Sequence, residues 1–149
     1  MTVITGRVRT QSPPSLQRGC DRLYSHVPTS YTQIHPVTVA TLSQFDFHHT
    51  LADTPGISLV MFGTTDCGSC RHLKRVFAEM AVLDPQLHLF EVDAQRDTAL
   101  VREFEVFHLP SMFLFRDGHF HCPLHSPATP DALRRHIDQA LTAPAQEAP

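Results

Sequence analysis

The chain has 149 residues, of which 42% are hydrophobic and 18% charged, and its formal net charge at pH 7 is −3. These values are typical of a soluble globular protein with one domain and a modest core. The excess of acidic residues argues against nucleic acid as the main partner. Four unevenly spaced cysteines argue against a secreted disulfide scaffold, and no stretch of sequence approaches the length of a membrane-spanning helix.

The first part of the chain, residues 1–34, is rich in Pro, Ser, Thr, Gln and Arg and has no sustained hydrophobic periodicity. This composition predicts a flexible N-terminal extension, followed by one domain over residues 35–142 and a polar C-terminal tail at 143–149. The extension lacks the apolar segment of a secretory signal, so we expect a cytoplasmic location, where neighbouring thiols are kept mostly reduced. Cys20 is interpreted either as an incidental thiol or as a site of mixed-disulfide formation.

The domain alternates predicted strands and helices. A short strand at 37–40 precedes a helix capped by Ser43 that runs to about Ala52. The elements that follow are a strand at 57–62, a helix from the Cys67–Cys70 pair to about Leu83, a strand at 87–92, a helix capped by Asp97, a hairpin of strands 112–115 and 119–124, and a helix opened by Thr129 and Pro130. This order predicts an α/β fold with a central mixed sheet covered by helices on both faces.

Cys67 and Cys70 directly follow the apolar strand at 57–62. Two cysteines at this spacing indicate a redox dithiol, half of a metal site, or two inert core thiols. Apolar residues recur at helical spacing after the pair, so Cys67 is expected at a helix N-terminus, where unpaired N–H groups and the helix dipole lower the pKa of a thiol. No second CxxC is present to complete a tetrahedral zinc site, so the pattern favours a thiol–disulfide enzyme.

Residues 37–142 resemble the thioredoxin family. The resemblance rests on the CxxC after the second strand and on four further segments, namely Glu91-Val92-Asp93, Phe104-Glu105-Val106, Leu109-Pro110-Ser111 and the strand-turn at 113–118. It implies a thioredoxin fold, with Cys67 and Cys70 as the catalytic residues and a cis Pro110 beside them. The same resemblance implies that Gly68, Ser69, Leu109 and Pro110 contact the substrate, whose extended backbone pairs with the loop before Pro110.

The chain departs from the family pattern at several positions. Met61 stands where the family has a buried carboxylate that helps to take the proton from the second cysteine, and Glu91 on the neighbouring strand is a candidate substitute. Asp66 is expected to raise the pKa of the Cys67 thiol, and Lys74, with Arg71 and His72, to lower it. Ser69 replaces the usual proline of the CxxC and leaves that loop without a fixed φ angle.

Three histidines and a cysteine lie in or next to the second strand of the predicted hairpin, and a further histidine, His108, lies two residues before Pro110. Strand alternation predicts Phe120, Cys122 and Leu124 on one buried face and His119, His121 and His125 on a solvated face. A metal site there stays an alternative, because Pro123 could bend the strand. His108 is either an exposed loop residue or a neighbour of the dithiol that shifts its titration.

The sequence therefore predicts a thiol–disulfide oxidoreductase that reduces protein disulfides through a mixed disulfide on Cys67. We expect no bound cofactor and no metal, and the expected partners are disulfide-containing proteins and an external reductase or dithiol donor. The alternative is a binding module, an adaptor or holdase that grips peptides with little turnover.

Overall fold

The computed structural model describes residues 39–149, which form five strands and four helices. In chain order the elements are β1 (Ala40–Leu42), α1 (Phe47–Ala52), β2 (Ile57–Gly63), α2 (Gly68–Leu83), β3 (Leu87–Asp93), α3 (Thr98–Glu103), β4 (Ser111–Arg116), β5 (His119–Pro123) and α4 (Pro130–Ala140). Within this range, none of the helices combines the length and the apolar character needed to cross a bilayer. The predicted extension at 1–34, with Cys20, lies outside the described residues.

The strands form one mixed sheet in the order β1-β3-β2-β4-β5. β1 and β2 run parallel to β3, whereas β4 is antiparallel to both of its neighbours, β2 and β5. Every residue of β2 except Ile57 is buried, as expected for a central strand that is covered on both faces. Phe62 near the end of β2 pairs with Ser111 at the start of β4. The loop after β2 and the loop before β4 therefore lie at the same end of these two strands.

The two faces of the sheet carry different cores. The first, which we call the aromatic face, packs against α1 and α3, and its buried residues include Phe47, Phe62, Phe90, Phe104, Phe113 and Phe115. The second, which we call the α2 face, packs against α2 and α4, and its buried residues include Leu59, Met61, Leu73, Phe77, Met80, Met112, Leu114, Cys122 and Leu133. Each strand supplies both faces because its side chains alternate.

Helix α4 begins as its sequence predicts. Thr129 is the N-cap residue, its Oγ1 accepts a hydrogen bond from the Ala132 N–H at 3.4 Å, and Pro130 occupies the first turn. Leu133 and Ile137 are buried against the α2 face, in agreement with the predicted apolar stripe.

The predicted strand at 37–40 lies partly outside the described residues; within them β1 begins at Ala40, and Ala40–Leu42 pair with Phe90–Val92. The predicted start of the next helix is wrong. The following helix begins at Phe47, since Ser43 and Asp46 close a turn in which the Asp46 Oδ1 accepts the Ser43 N–H at 2.7 Å. Asp97 is the N-cap residue of α3, which begins at Thr98 as predicted, but its side chain makes no capping hydrogen bond.

The Asp97 carboxylate is instead used to join two loops. Its Oδ1 accepts the Gln44 N–H at 3.0 Å, and its Oδ2 binds the Arg96 guanidinium at 3.2 Å. The residue is 2% exposed, so these partners satisfy a buried carboxylate that would otherwise be costly. Asp97 therefore ties the loop after β1 to the segment after β3.

The hairpin between β4 and β5 turns at Asp117 and Gly118, whose φ angles are 50° and 78°. Glycine is required at position 118 by contact as well as by φ, because an added Cβ would lie 2.6 Å from the Leu51 carbonyl oxygen. The predicted turn is confirmed.

The predicted alternation in β5 is wrong. Leu114 pairs with Cys122 and the adjacent Phe115 pairs with Phe120, so His121 is an extra residue that bulges out of register. Phe120 therefore packs on the aromatic face and Cys122 on the α2 face. His121 is 4% exposed rather than solvated, and its Nε2 bonds to the Ala140 carbonyl oxygen at 3.0 Å.

Candidate active site

Cys67 and Cys70 lie at the N-terminus of α2 and form a disulfide with a Cα–Cα distance of 5.2 Å. Cys67 is the N-cap residue, and its Sγ accepts a hydrogen bond from the Cys70 N–H at 3.1 Å. The Ser69 Oγ lies 3.1 Å from the same sulfur. A sulfur that accepts hydrogen bonds at a helix N-terminus is stabilised as a thiolate once the disulfide is reduced.

The two cysteines differ in their access to solvent. Cys67 is partly exposed, whereas Cys70 is 2% exposed and belongs to the buried side of α2. Gly68 and Ser69 between them are exposed. Cys67 is therefore more accessible from solvent than Cys70.

The loop before β4 lies at the same end of the strands as the loop that leads from β2 to the cysteine pair. The Leu109–Pro110 peptide bond is cis, as the resemblance implied. Ser111 Oγ donates to the His108 carbonyl oxygen at 2.7 Å, and Leu109 and Pro110 are partly buried. Phe107 projects from this loop with 86% of its surface exposed, and His108 is also exposed.

A cavity of about 350 Å³ opens beside Cys70 on the α2 face. Its wall includes Met61 and Gly63 from β2, Cys70 from α2 and Glu91 from β3. Gly63 leaves this space open, because a Cβ there would lie 3.1 Å from the Met61 Cε and 3.4 Å from the Cys70 Sγ. The cavity thus places charged side chains of β3 and α2 in the same space as Cys70.

The polar wall of the cavity is centred on an ion pair. The Lys74 Nζ donates to the Glu91 Oε1 at 2.7 Å, and the Thr41 Oγ1 donates to the same oxygen at 3.0 Å. The Glu91 side chain is 18% exposed and that of Lys74 57%. The ammonium group of Lys74, which is predicted from the sequence to lower the pKa of Cys67, forms its ion pair with Glu91.

The remaining charged candidates have local partners or point outward. Asp66 is exposed next to Cys67. The Arg71 Nη1 donates to the Thr65 carbonyl oxygen at 2.8 Å, and the His72 Nε2 bonds to the Ala128 carbonyl oxygen at 3.1 Å. Within residues 39–149, no cluster of three or more His, Cys, Asp and Glu side chains is arranged to hold a metal ion.

Comparison with known families gives a single assignment. The thioredoxin family model matches residues 38–139. This chain belongs to the thioredoxin family. The matched range contains the cysteine pair, the cis-proline loop and the whole sheet, so the predicted thioredoxin fold is confirmed.

Individual relatives are similar to parts of the chain. A 100-residue segment is 31% identical to protein disulfide-isomerase A3 of Gallus gallus, covering 66% of this chain and 20% of that protein. A 64-residue segment is 31% identical to the thioredoxin of Staphylococcus saprophyticus, covering 42% of this chain and 62% of that one. The chain therefore spans less than two thirds of these two relatives.

Among solved structures, the thioredoxin of Trypanosoma brucei brucei superposes with a TM-score of 0.63 at 19% identity. The superposition covers 74% of this chain and 97% of that one. At this identity the likeness concerns the fold. A thioredoxin domain with a Cys67–Cys70 pair supports thiol–disulfide oxidoreductase activity in general.

Two features of the site escaped sequence reasoning. Gly63 ends an apolar run, and only its close approach to Cys70 reveals why a side chain is absent there. The Lys74–Glu91 pair joins residues 17 positions apart, and the signal that could have found it is that Lys74 follows Cys70 by one helical turn while Glu91 pairs with Met61 in the sheet.

Proposed function

We propose that the protein reduces disulfide bonds in other proteins through the Cys67–Cys70 dithiol. The observation that carries this proposal is the asymmetry of the pair, in which the partly exposed Cys67 Sγ accepts the Cys70 N–H at a helix N-terminus while Cys70 is buried. This asymmetry suits Cys67 as the nucleophile that meets the substrate and Cys70 as the buried thiol that resolves the mixed disulfide.

The reaction has two steps. The Cys67 thiolate attacks one sulfur of the substrate disulfide, forms a mixed disulfide and releases the first substrate thiolate. The Cys70 thiolate then attacks the Cys67 sulfur, so that the Cys67–Cys70 disulfide forms and the second substrate thiolate leaves. The dithiol loses two electrons and the substrate gains them.

The proposal includes partners as well as chemistry. Disulfide-containing proteins are the substrates, and a separate reductase or dithiol supplies two electrons to restore Cys67 and Cys70. We propose that the protein needs no bound cofactor, since the cysteine pair carries the electrons itself. A reducing compartment such as the cytoplasm would keep the pair poised for reduction of substrates.

Insulin reduction driven by dithiothreitol tests this function. The wild-type protein should accelerate reduction, Cys67→Ser should abolish the acceleration, and Cys70→Ser should accumulate mixed disulfides on Cys67 that mass spectrometry detects. Cys122→Ala is the matched control, because Cys122 is buried on the sheet away from the pair. A wild-type protein without activity, or a Cys67→Ser variant with full activity, contradicts the proposal.

A second candidate function is a binding module that holds peptides with little turnover. The observation in its favour is that Phe107, with 86% of its surface exposed, lies three residues before the cis Pro110, where its ring could contact a peptide bound along that loop. Binding of a cysteine-free unfolded protein that weakens with Phe107→Ala, together with an inactive wild type in the insulin assay, would favour this function over reduction.

A further inference from the structure

The second step of the proposed reaction requires Cys70 to lose a proton. Only the thiolate form of Cys70 attacks the mixed disulfide, and its residue is 2% exposed beneath Cys67. The charged groups that share the cavity with Cys70 come from three parts of the fold. They are Arg71 and Lys74 on α2, Glu91 and Asp93 on β3, and Arg96 after β3.

Of these groups, only the two carboxylates offer acceptor atoms, because guanidinium and ammonium groups are donors alone. Asp93 is committed to the turn after β3, where its Oδ1 accepts the N–H groups of Gln95 at 2.9 Å and Arg96 at 3.4 Å. Glu91 accepts from side chains, Lys74 and Thr41, and both of these contacts involve the same oxygen, Oε1. Each carboxylate therefore keeps one oxygen, Oδ2 of Asp93 and Oε2 of Glu91, outside these contacts, and the two differ in that Glu91 alone is bound to a side chain of α2, Lys74.

The fold places Glu91 next to the residues that surround the Cys70 sulfur. Glu91 pairs with Met61 across the β2–β3 ladder, so their side chains share the α2 face. Lys74 follows Cys70 by four residues on α2, which puts both side chains on one side of the helix. The ion pair thus anchors Glu91 to the same helical face that carries the resolving thiol.

The space between these groups is suited to water. The cavity volume is about 350 Å³, and a water molecule takes roughly 30 Å³ in the liquid, so several fit. Carboxylate, ammonium and hydroxyl groups along the wall offer the partners that an ordered water needs. A proton can therefore pass from Cys70 to Glu91 through one or more waters.

We propose that Glu91, positioned by Lys74 and Thr41, accepts the Cys70 proton through water in this cavity. The inference rests on the proposed reductase function and adds a residue to it. The proton moves from the Cys70 thiol to the Glu91 carboxylate. The sulfur electron pair then forms the Cys67–Cys70 bond, the bond from Cys67 to the substrate breaks, and the departing substrate thiolate takes a proton from solvent or from Glu91.

Stopped-flow reaction of the reduced protein with dithiobisnitrobenzoate tests the proposal. Cys20 and Cys122 are first replaced, as Cys20→Ser and Cys122→Ala, because either thiol would also release the coloured group. The reagent then releases one coloured thiolate when Cys67 attacks it and a second when Cys70 resolves the mixed disulfide, so the two steps are measured separately. Glu91→Gln should slow the second release about 10²-fold near pH 7, the lower end of general-base effects, and leave the first release unchanged. The deficit should vanish at high pH, where hydroxide takes the proton.

Three variants make the result specific. Glu91→Asp keeps the carboxylate and should recover most of the second step, which also guards against a Glu91→Gln variant that folds poorly. Lys74→Gln frees Glu91 and should slow the second step by a smaller factor. Glu79→Gln is the matched control, since it removes an exposed carboxylate of α2 that does not line the cavity.

Other outcomes overturn the inference. A folded Glu91→Gln variant with an unchanged second release shows that Glu91 takes no proton, and equal slowing of both releases shows a structural role only. Slowing by Asp93→Asn without slowing by Glu91→Gln assigns the role to Asp93. A wild-type protein that completes both releases but reduces no protein disulfide contradicts the proposed function and leaves the proton acceptor assigned.

Discussion

The two faces of the sheet differ in the residues that pack on them and in whether a cavity lies among those residues. On the aromatic face, phenylalanines from α1, β2, α3's C-terminal end, β4 and β5 pack together with ring centroids 5.2 to 6.4 Å apart. On the α2 face, the buried residues include methionines and cysteines, and a cavity with an ion pair in its wall lies beside Cys70. The aromatic cluster therefore lies on the side of the sheet opposite the cavity.

This division has a physical reason. Aromatic rings pack in specific tilted and edge-to-face arrangements that each contribute about 0.5–1.5 kcal/mol beyond area burial, which favours a rigid layer. Thioether side chains are flexible and fill irregular space, so Met61 can border a cavity without filling it. The aromatic layer packs against β2, and the loop after β2 leads to the cysteine pair at the start of α2.

The largest predicted effect is on the aromatic face. Phe104 contacts five other phenylalanines, at 47, 62, 113, 115 and 120, so Phe104→Ala should lower the free energy of unfolding by about 3–5 kcal/mol. Urea denaturation measures the loss. The matched control is Phe45→Ala, which truncates a ring that is 83% exposed and should change stability by less than about 0.5 kcal/mol.

Disulfide reduction by folded Phe104→Ala, measured well below its melting temperature, should stay close to wild type. A stable variant with greatly reduced activity would mean that the two faces are not separable.

The second prediction, on the α2 face, concerns both the stability of the fold and the rate of the second release. Met61→Asp should lower the free energy of unfolding by about 2–4 kcal/mol, because Met61 is 3% exposed and a carboxylate there is desolvated. The same carboxylate would border the cavity beside Cys70, so Met61→Asp combined with Glu91→Gln should recover part of the second release in stopped flow. Met61→Leu in place of Met61→Asp is the control that changes shape without adding an acceptor.

No recovery by the double variant, with Glu91→Gln alone slow, would show that position 61 cannot exchange protons with Cys70. Faster resolution by Met61→Asp in the wild-type background would show that Glu91 is a limiting acceptor.

The order of elements and the place of the cysteine pair could be predicted because both depend on local patterns. An apolar run, a CxxC and apolar residues at helical spacing determine the end of β2 and the start of α2 without long-range information. Thr129 and Pro130 likewise specify the start of α4. These signals agree with one another, which is why the fold class followed from them.

The features that sequence reasoning missed depend on register. Strand alternation put His121 in solvent, and only the pairing of Leu114 with Cys122 and Phe115 with Phe120 reveals the bulge that buries it. Asp97 matched a helix cap, yet its carboxylate bonds to Gln44, 53 residues away. The place of Glu91 next to Met61 follows from the pairing of neighbouring strands. Its ion pair with Lys74 could not be predicted, because it depends on how α2 is positioned over the sheet.

The third prediction tests how closely the α2 face is fitted around Cys70. Gly63→Ala should lower the free energy of unfolding by about 1–3 kcal/mol, because the new Cβ would lie 3.1 Å from the Met61 Cε and 3.2 Å from the Cys70 Cβ. Gly68→Ala is the matched glycine control. At Gly68 the nearest contact of an added Cβ is 3.9 Å, to the Arg71 guanidinium, so this change should stabilise the helix by up to about 1 kcal/mol.

Thermal unfolding of both variants in the oxidised state measures the difference. If Gly63→Ala is as stable as Gly68→Ala, the β2–α2 contact has more freedom than its distances indicate.

The smallest predicted effect concerns Cys122, the buried thiol on the α2 face. Burial raises the pKa of Cys122 above its ordinary value of 9.0, so the folded protein holds the thiol proton more tightly than the unfolded chain. The resulting stability is fully present below pH 9.0 and is lost as the pH rises through the folded pKa, by at most about 1.4 kcal/mol for each pH unit between the two values.

Urea denaturation of the oxidised protein from about pH 8 to about pH 10 measures this loss, with Cys67 and Cys70 held in their disulfide so that neither titrates. Cys122→Ala removes the titrating group and leaves Cys20 in place, so the wild type should lose more stability over this range than the variant. Alkylation gives an independent measure, because iodoacetamide should modify Cys122 only at a rate limited by opening of the β4–β5 hairpin. Parallel pH curves for the two proteins would show that the thiol is solvated when it ionises, and the α2 face would then be open beyond the cavity beside Cys70.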